Sequence, residues 1–335
     1  MKRLQKKPIS LLLLLLSPVP GTVAASNPFG IWFAAVLSSA ALGIALVMFP
    51  YYAAVCPALL SLAGGWLLYG PYGAAIAFIA SVPAGVCLAF CFKKKKSLPF
   101  TIAVMSVSCV YMLAALLAVY IYRRGGGLDY AALQKVIQPL NVHIRTIIDN
   151  AVKLMRVLAE QSSSRISIDA ELLKKTVTEQ FIYIVPGYVI SLVFIVSFFA
   201  AMAAKKLIPP LAGADASFWD DFVAFRIPRP IAYFYLLFIL IVAIERLSGD
   251  IDDNIAYHTI SNLITVMNLF FFTVGVSTIY KFFARKQSYW AVRYLILAAV
   301  LLFSLLLQSS CTMAVVFIGL YDTLFFVRNI PFKKK

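Results

Sequence analysis

Hydrophobic residues occur along this chain in long unbroken runs rather than in short alternating patches. No charged residue lies within 27–92, and further apolar runs cover 98–122, 181–204, 231–244 and 257–283. A helix needs about 20 apolar residues to cross a bilayer. The pattern therefore predicts an all-α fold, a polytopic bundle of transmembrane helices.

Breaks within the longest runs set the expected number of spans. Pro50 and the stretch Tyr69-Gly70-Pro71-Tyr72-Gly73 divide residues 27–92 into three crossings. The polar sequence Gln308-Ser309-Ser310 divides residues 291–327 into two. With the first segment included, the expected total is about nine to ten spans at the usual helix length.

The first 26 residues have the order of a secretory signal. Basic residues precede a leucine run, Leu11 to Leu16, and small residues follow near Ala25. A retained first span, broken by Pro18 and Pro20, fits the same residues. Both interpretations place the N-terminus inside and residue 26 outside, so the predicted topology is the same.

Composition and charge exclude a soluble chain and give the orientation. Of the residues, 62% are hydrophobic and 13% charged, yet the net charge is +16. Such a basic excess typically lies in short loops on the cytoplasmic face, so we expect the lipid bilayer and no nucleic acid as partner. Basic clusters put four segments inside, with both chain ends cytoplasmic unless the first segment is cleaved: 93–97, 205–229, 281–288 and 328–335.

These boundaries divide the chain into four parts. They are a signal-like segment or first span (1–26), N-terminal membrane helices (27–122), an extracytoplasmic amphipathic helical segment (123–180), and C-terminal membrane helices (181–335) with a cytoplasmic loop (205–230). Within the third part, apolar residues from Leu133 to Leu158 recur at helical spacing. This segment lies flat on the outer membrane surface, docks as a lid on the bundle, or is a packed connector.

Motifs for soluble catalysis or metal binding do not occur in the sequence. The glycines Gly125 to Gly127 are not followed by the Gly-Lys-Ser/Thr of a phosphate-binding loop, and no Gly-x-Ser-x-Gly elbow is found. Neither His143 nor His258 has a Cys or carboxylate at metal-ligand spacing, and the five cysteines lie in apolar runs as small core residues. We expect no enzyme activity, no cofactor and no metal.

The run from Tyr257 carries a stripe of polar residues. His258, Asn262, Thr265 and Asn268 fall on one side of a helix at about 100° per residue. Polar groups in hydrocarbon need partners or water, so this stripe either lines a ligand-binding cavity or holds neighbouring helices together. Glu245 and Arg246, which end the preceding span on the same side, are either polar gatekeepers of that cavity or ordinary interfacial ends.

Asp322 is the only acidic residue in the last apolar stretch. A carboxylate at this depth needs a cation, and Arg328 falls on another helix face. We therefore predict a structural ion pair between Asp322 and a cytoplasmic-side cation, Arg226 first, with Arg229 and Lys281 as alternatives. A proton-relay role for Asp322 is the competing hypothesis.

Several short motifs resemble the YybS-like family of uncharacterised bacterial membrane proteins. They are Ile184-Val185-Pro186-Gly187, Phe225-Arg226-Ile227-Pro228, the stretch from Asn268 to Gly275, and the closing stretch from Gly319 to Arg328. The match covers roughly residues 130 to 330, and Phe326-Val327-Arg328 lacks the second acid of the family's closing motif. The resemblance implies a bacterial inner-membrane protein, loosely grouped with the substrate-binding components of energy-coupling-factor transporters, which bind a small molecule and depend on a separate ATPase.

Two functional hypotheses follow from these observations. The first is a membrane component that binds or transports a small solute of unknown identity and has no ATPase of its own. The alternative is a non-transporting scaffold or regulator whose loops recruit cell-envelope proteins. A wet pocket around His258, Asn262 and Asn268 would favour the first, and burial of these side chains against protein neighbours would favour the second.

Overall fold

The structure is a computed structural model that describes six continuous segments and some scattered positions. The segments are 7–27, 30–127, 170–219, 225–248, 255–286 and 310–326, and the scattered positions lie between 132 and 153. All regular structure in these segments is helical: α1 (Lys7–Leu16), α2 (Pro18–Val23), α3 (Gly30–Met48), a 3-10 turn (Tyr51–Ala54), α4 (Val55–Lys93), α5 (Leu98–Gly125), α6 (Ala170–Ala212), α7 (Arg229–Ser248), α8 (Ile255–Lys286) and α9 (Ser310–Phe325).

The predicted transmembrane architecture is confirmed at the level of a multi-pass helical protein. In the part of the chain that the structure describes, five helical stretches are long and apolar enough to cross a membrane: Gly30–Met48, Tyr51–Lys93, Leu98–Gly125, Val185–Ala212 and Ala256–Phe282. Membrane helices of this kind imply association with the lipid bilayer. The larger total of nine to ten spans stays a prediction, and its run from 291 to 309 lies outside the described residues.

Helix α4 folds back on itself at Gly70. This residue has φ 72° and ψ −165°, a conformation that is costly for a residue with a Cβ. The two legs then pack against each other, because the Ser61 and Ser81 hydroxyls lie 2.9 Å apart. The break predicted within residues 69–73 is therefore present, and Tyr51–Lys93 is a helical hairpin.

The signal-like segment packs into the N-terminal helices. Leu14 is buried in a cluster with Leu42, Leu46 and Val82. In α2, the Gly21 N–H donates to the Ser38 hydroxyl at 3.1 Å. These contacts join α1 and α2 to the N-terminal helices, while the choice between a cleaved signal and a retained first span stays a prediction.

Helix α6 extends beyond the predicted span of 181–204. It begins at Ala170 and continues to Ala212 through Pro209 and Pro210. The helix ends where the Gly213 N–H bonds back to Ile208 O at 3.1 Å. The loop predicted to start near residue 205 is therefore helical over its first residues, although Pro209 and Pro210 have no N–H to donate to the carbonyls four residues earlier.

The chain forms two compact units, one from residues 1–110 and 187–335 and the other from Tyr111–Pro186. In the second unit, the described positions between 132 and 153 are all helical. Ala132 is buried, and a Cβ on Gly125 would collide with it. Val142, in contrast, is 63% exposed. Whether this segment is extracytoplasmic stays a prediction.

Candidate functional site

Helix α8, which carries the predicted polar stripe, packs beside α6 through one hydrogen bond and one aromatic contact. The Gly187 N–H donates to Asn262 Oδ1 at 3.2 Å. Two turns further along both helices, the rings of Phe194 and Phe270 meet edge to face at 4.5 Å. Because both contacts advance in the same sense, α6 and α8 run parallel.

Asn262 reaches the α6 backbone at a point where that helix lacks a donor and a side chain. Pro186 has no N–H, and the next residue, Gly187, has no Cβ. A Cβ on Gly187 would lie only 2.6 Å from Asn262 Oδ1. The Pro-Gly pair thus allows the close approach, and the amide of a neighbouring helix bonds the backbone there, as is usual for such sites in membranes.

Helix α7 packs on another side of α8 through Tyr235. Its hydroxyl donates to Asn268 Oδ1, and its ring lies 4.8 Å from that of Phe271. Tyr235 is fully buried. This bond fixes the orientation of the Asn268 amide, whose NH2 group therefore points away from Tyr235.

The remaining stripe residues face the angle between α6 and α7. At about 100° per residue, Asn262 and Asn268 are separated by about 120° around α8, and His258 and Thr265 fall within that arc. Both are partly buried. The Thr265 hydroxyl donates to Ser261 O in its own helix at 3.0 Å, and the His258 ring packs against Tyr257 with centroids 5.4 Å apart.

Helix α6 contributes two serines that the sequence analysis did not identify. The Oγ atoms of Ser191 and Ser197 are buried and have no hydrogen-bond partner within the described residues, and Ser197 is fully buried as a residue. Ser191 lies one turn from Gly187, close to the level of Thr265. A buried hydroxyl without a partner costs about 1 to 3 kcal/mol, so such groups normally bond water or a ligand.

The predicted gatekeepers lie at the end of α7. Glu245 is partly buried there, and the side chain of Arg246 lies outside the described residues. Their proposed role at a cavity mouth therefore stays a prediction. The same holds for ligand binding by His258, Asn262, Thr265 and Asn268.

Helices α8 and α9 cross at two glycines. A Cβ on Gly275 would enter the backbone carbonyl of Val315, and one on Gly319 would enter that of Phe271. Further along, Thr278 and Asp322 line the same cavity of about 430 Å³, whose other lining residues are aliphatic or aromatic. The backbones of Gly275 and Gly319 themselves lie in contact. From this contact to the shared cavity of Thr278 and Asp322 both helices advance in the same direction, so α9 runs parallel to α8, and Lys286 and Ser310 lie at opposite ends of the pair.

Asp322 is 2% exposed and lies in the last turn of α9. Its carbonyl accepts the Phe326 N–H at 2.8 Å. The guanidinium groups of Arg226 and Arg229 lie over the Phe326 ring, 5.6 and 4.2 Å from its centre. The fold thus brings two of the three predicted cations to the helix end that carries Asp322, while the pair itself stays a prediction.

The loop after α6 is fastened to the turn between α4 and α5. Trp219 is 1% exposed, and its Nε1–H donates to Lys96 O at 2.9 Å. Its ring packs edge to face on Phe92 with centroids 5.1 Å apart. Hydrogen bonds from the Ser217 hydroxyl and N–H hold the pKa of Asp215 below its usual range, with a smaller contribution from Lys95.

Sequence reasoning identified the polar stripe but not its partners. Tyr235, Ser191 and Ser197 carry no signal of their own, because tyrosines and serines occur throughout these apolar runs. The resemblance motifs were more informative than their apolar character suggested. Gly187, Asn268, Gly275 and Gly319 each come from such a motif, and each is a point of contact between two helices.

Of the comparisons with known proteins, the one with protein families gives a match. No curated protein and no solved structure matches this chain. The family described as predicted membrane protein (DUF2232) matches residues 9–323, nearly the whole sequence. The chain, a multi-pass membrane protein built from helices, therefore belongs to the predicted membrane protein family DUF2232.

Proposed function

We propose that this protein is a membrane component that binds or transports a small polar solute and has neither catalytic activity nor an ATPase of its own. The site lies between α6, α7 and α8, with Glu245 and Arg246 near its outer mouth. The protein resides in the inner membrane of a bacterial cell, in the orientation predicted from its charges. The YybS-like resemblance likewise implies a bacterial inner-membrane protein, loosely grouped with components that bind a small molecule and depend on a separate ATPase.

One observation carries the proposal. Polar side chains come from two neighbouring helices: His258 and Thr265 point into the angle between α6 and α7, and among the described residues the buried hydroxyls of Ser191 and Ser197 have no hydrogen-bond partner. Helix contacts alone do not require unbonded hydroxyls, because a serine in a membrane helix normally bonds its own i−4 carbonyl. A bound solute or water would bond them.

A second candidate function rests on a different observation. Asn262 and Asn268, the two strongest hydrogen-bonding groups of the stripe, both bond protein atoms, Gly187 N and the Tyr235 hydroxyl. Such bonds hold helices together and leave less of the stripe for a solute. If this is their whole role, the protein is a scaffold or regulator whose loops recruit cell-envelope proteins.

Retained solute provides the direct test of the site. Protein purified in a mild detergent is denatured, and the released small molecules are identified by mass spectrometry. Thr265→Val and Ser191→Ala remove hydroxyls with little change in volume, so the folded yield should persist while the retained solute falls at least fivefold. Thr278→Val is the matched control, because Thr278 makes the same bond to its own helix, to Val274 O at 2.9 Å, on the other side of α8.

Equal solute content in all variants, or none in the unaltered protein, contradicts the proposal. The proteins that co-purify with this chain then distinguish the two candidate functions. Affinity purification from native membranes should recover a separate ATPase if the protein is a transport component. Recovery of an envelope assembly without an ATPase favours the scaffold.

A further inference from the structure

Four consecutive lysines, Lys93 to Lys96, form the turn between α4 and α5, and all four are exposed. Backbone hydrogen bonds hold the conformation of this turn. Lys94 N bonds Phe90 O, Lys95 N bonds Phe92 O and Lys96 N bonds Cys91 O, at 2.9 to 3.0 Å. Lys95 takes φ 50°, which closes the turn tightly.

Two neighbouring segments hold this turn in place. The Lys93 ammonium donates to the carbonyl of Phe49, the residue that follows the end of α3, at 2.5 Å. On the other side, Lys96 O accepts the Trp219 indole N–H at 2.9 Å. Four positive charges are thus presented on a rigid backbone, which lowers the entropy lost when they bind an anion.

Exposed aromatic rings border the same turn. The Lys93 ammonium lies 4.4 Å from the centre of the Tyr51 ring, and the Lys96 ammonium 5.6 Å from that of Phe100. Tyr51 is 39% and Phe100 47% exposed. Exposed aromatic rings beside lysines at the ends of membrane helices are typical of the headgroup region of a bilayer.

We propose that the turn formed by Lys93 to Lys96 is a binding site for the phosphate of an anionic membrane lipid. Lys94 and Lys95 are the main contacts, because Lys93 already bonds a carbonyl and Lys96 lies over an aromatic ring. The lipid's glycerol and upper acyl chains lie along Tyr51 and Phe100. An acidic protein or free phosphate would use the lysines but would leave these rings in water.

One acidic residue opposes this site. Asp215, exposed in the adjacent loop, lies near enough to Lys95 for that charge to act on its carboxyl. Asp215→Asn removes the negative charge and keeps an oxygen that accepts from Ser217. This substitution should therefore strengthen lipid binding, whereas loss of a lysine should weaken it.

The test compares lipids of one acyl composition and different headgroups. Full-length protein in an uncharged detergent is titrated with phosphatidylglycerol or phosphatidylcholine, and bound lipids on the folded protein are counted by native mass spectrometry. Phosphatidylglycerol should bind at least tenfold more tightly and raise the unfolding temperature. Each lysine near a charged surface contributes about a fivefold change in affinity, so Lys94→Gln with Lys95→Gln should reduce binding by about 25-fold.

Lys206→Gln is the matched control, since Lys206 is exposed near the end of α6 and should leave binding unchanged. Raising the salt to about 1 M should weaken phosphatidylglycerol binding through screening. Equal binding of both lipids, an equal loss in Lys206→Gln, or tighter binding of a polyglutamate peptide or inorganic phosphate than of phosphatidylglycerol overturns the proposal. Because the solute site is tested by different variants, the two proposals stand or fall separately.

Discussion

Gly319 of α9 lies directly against the backbone of Gly275 in α8, at a distance that admits no side chain on either residue. In a membrane, helices associate through such close backbone approach rather than through the hydrophobic effect. The contact therefore stabilises the α8–α9 pair by packing alone, and any added carbon must separate the two helices.

We expect Gly275→Leu and Gly319→Leu to destabilise the folded protein strongly. Overpacking a tight contact costs about 1 to 3 kcal/mol or more. Thermal unfolding in detergent measures the effect. Ala314→Leu adds a side chain to an exposed position of α9 and should be tolerated, so an equal loss in this control would refute the role of the crossing.

Tyr235→Phe should weaken the contact between α7 and α8. The change removes the hydroxyl that donates to Asn268 Oδ1 and keeps the buried ring. Hydrogen bonds between membrane helices contribute about 0.6 kcal/mol on average and up to about 1.7 kcal/mol, so a modest fall in unfolding temperature is expected. Tyr233, 61% exposed on the same helix, supplies the control Tyr233→Phe, and indistinguishable melting curves would show that the bond contributes nothing.

Asp322→Asn should lower the yield and stability of folded protein. If Asp322 is paired with a cation, the substitution leaves the partner charge behind, at a cost of about 3 to 5 kcal/mol. A double-mutant cycle with Arg226→Gln should show coupling, and the same cycle with Arg229→Gln identifies the closer partner. Normal stability together with lost function would instead support a proton-relay role for Asp322.

Labelling of introduced cysteines tests the topology. In a variant without native cysteines, Val142→Cys should react with an impermeant reagent applied outside intact cells, and Leu207→Cys should react only after the membrane is opened. Val142 is 63% and Leu207 42% exposed. Labelling of residue 142 from the cytoplasmic side alone would reverse the predicted orientation.

Much of the fold follows from the sequence because bilayer thickness and charge placement act on long segments. The runs predicted at 98–122 and 257–283 are helices Leu98–Gly125 and Ile255–Lys286. Gly70 marks the fold-back in α4 because only a residue without a Cβ takes its backbone angles readily. The predicted span ended at residue 204, before the charges of Lys205 and Lys206, whereas α6 continues to Ala212.

The site was less predictable because it depends on which helices become neighbours. The period of α8 showed that Asn262, Thr265 and Asn268 share one side. It carried no information on whether Gly187 or Tyr235 would lie opposite them. Those contacts join residues that are far apart in the sequence. Because the apolar runs have similar compositions, they do not indicate which helices pack against each other.

The crossing of α8 and α9 also constrains how the protein is made. Ribosomes release α8 before α9, so the Gly275 surface stays uncovered until the sixteen residues of Ser310–Phe325 have been synthesised. A chain that stops before residue 310 lacks α9, the helix that packs against the backbone of Gly275. Membrane quality-control proteases should therefore degrade such truncated chains much faster than the full-length protein.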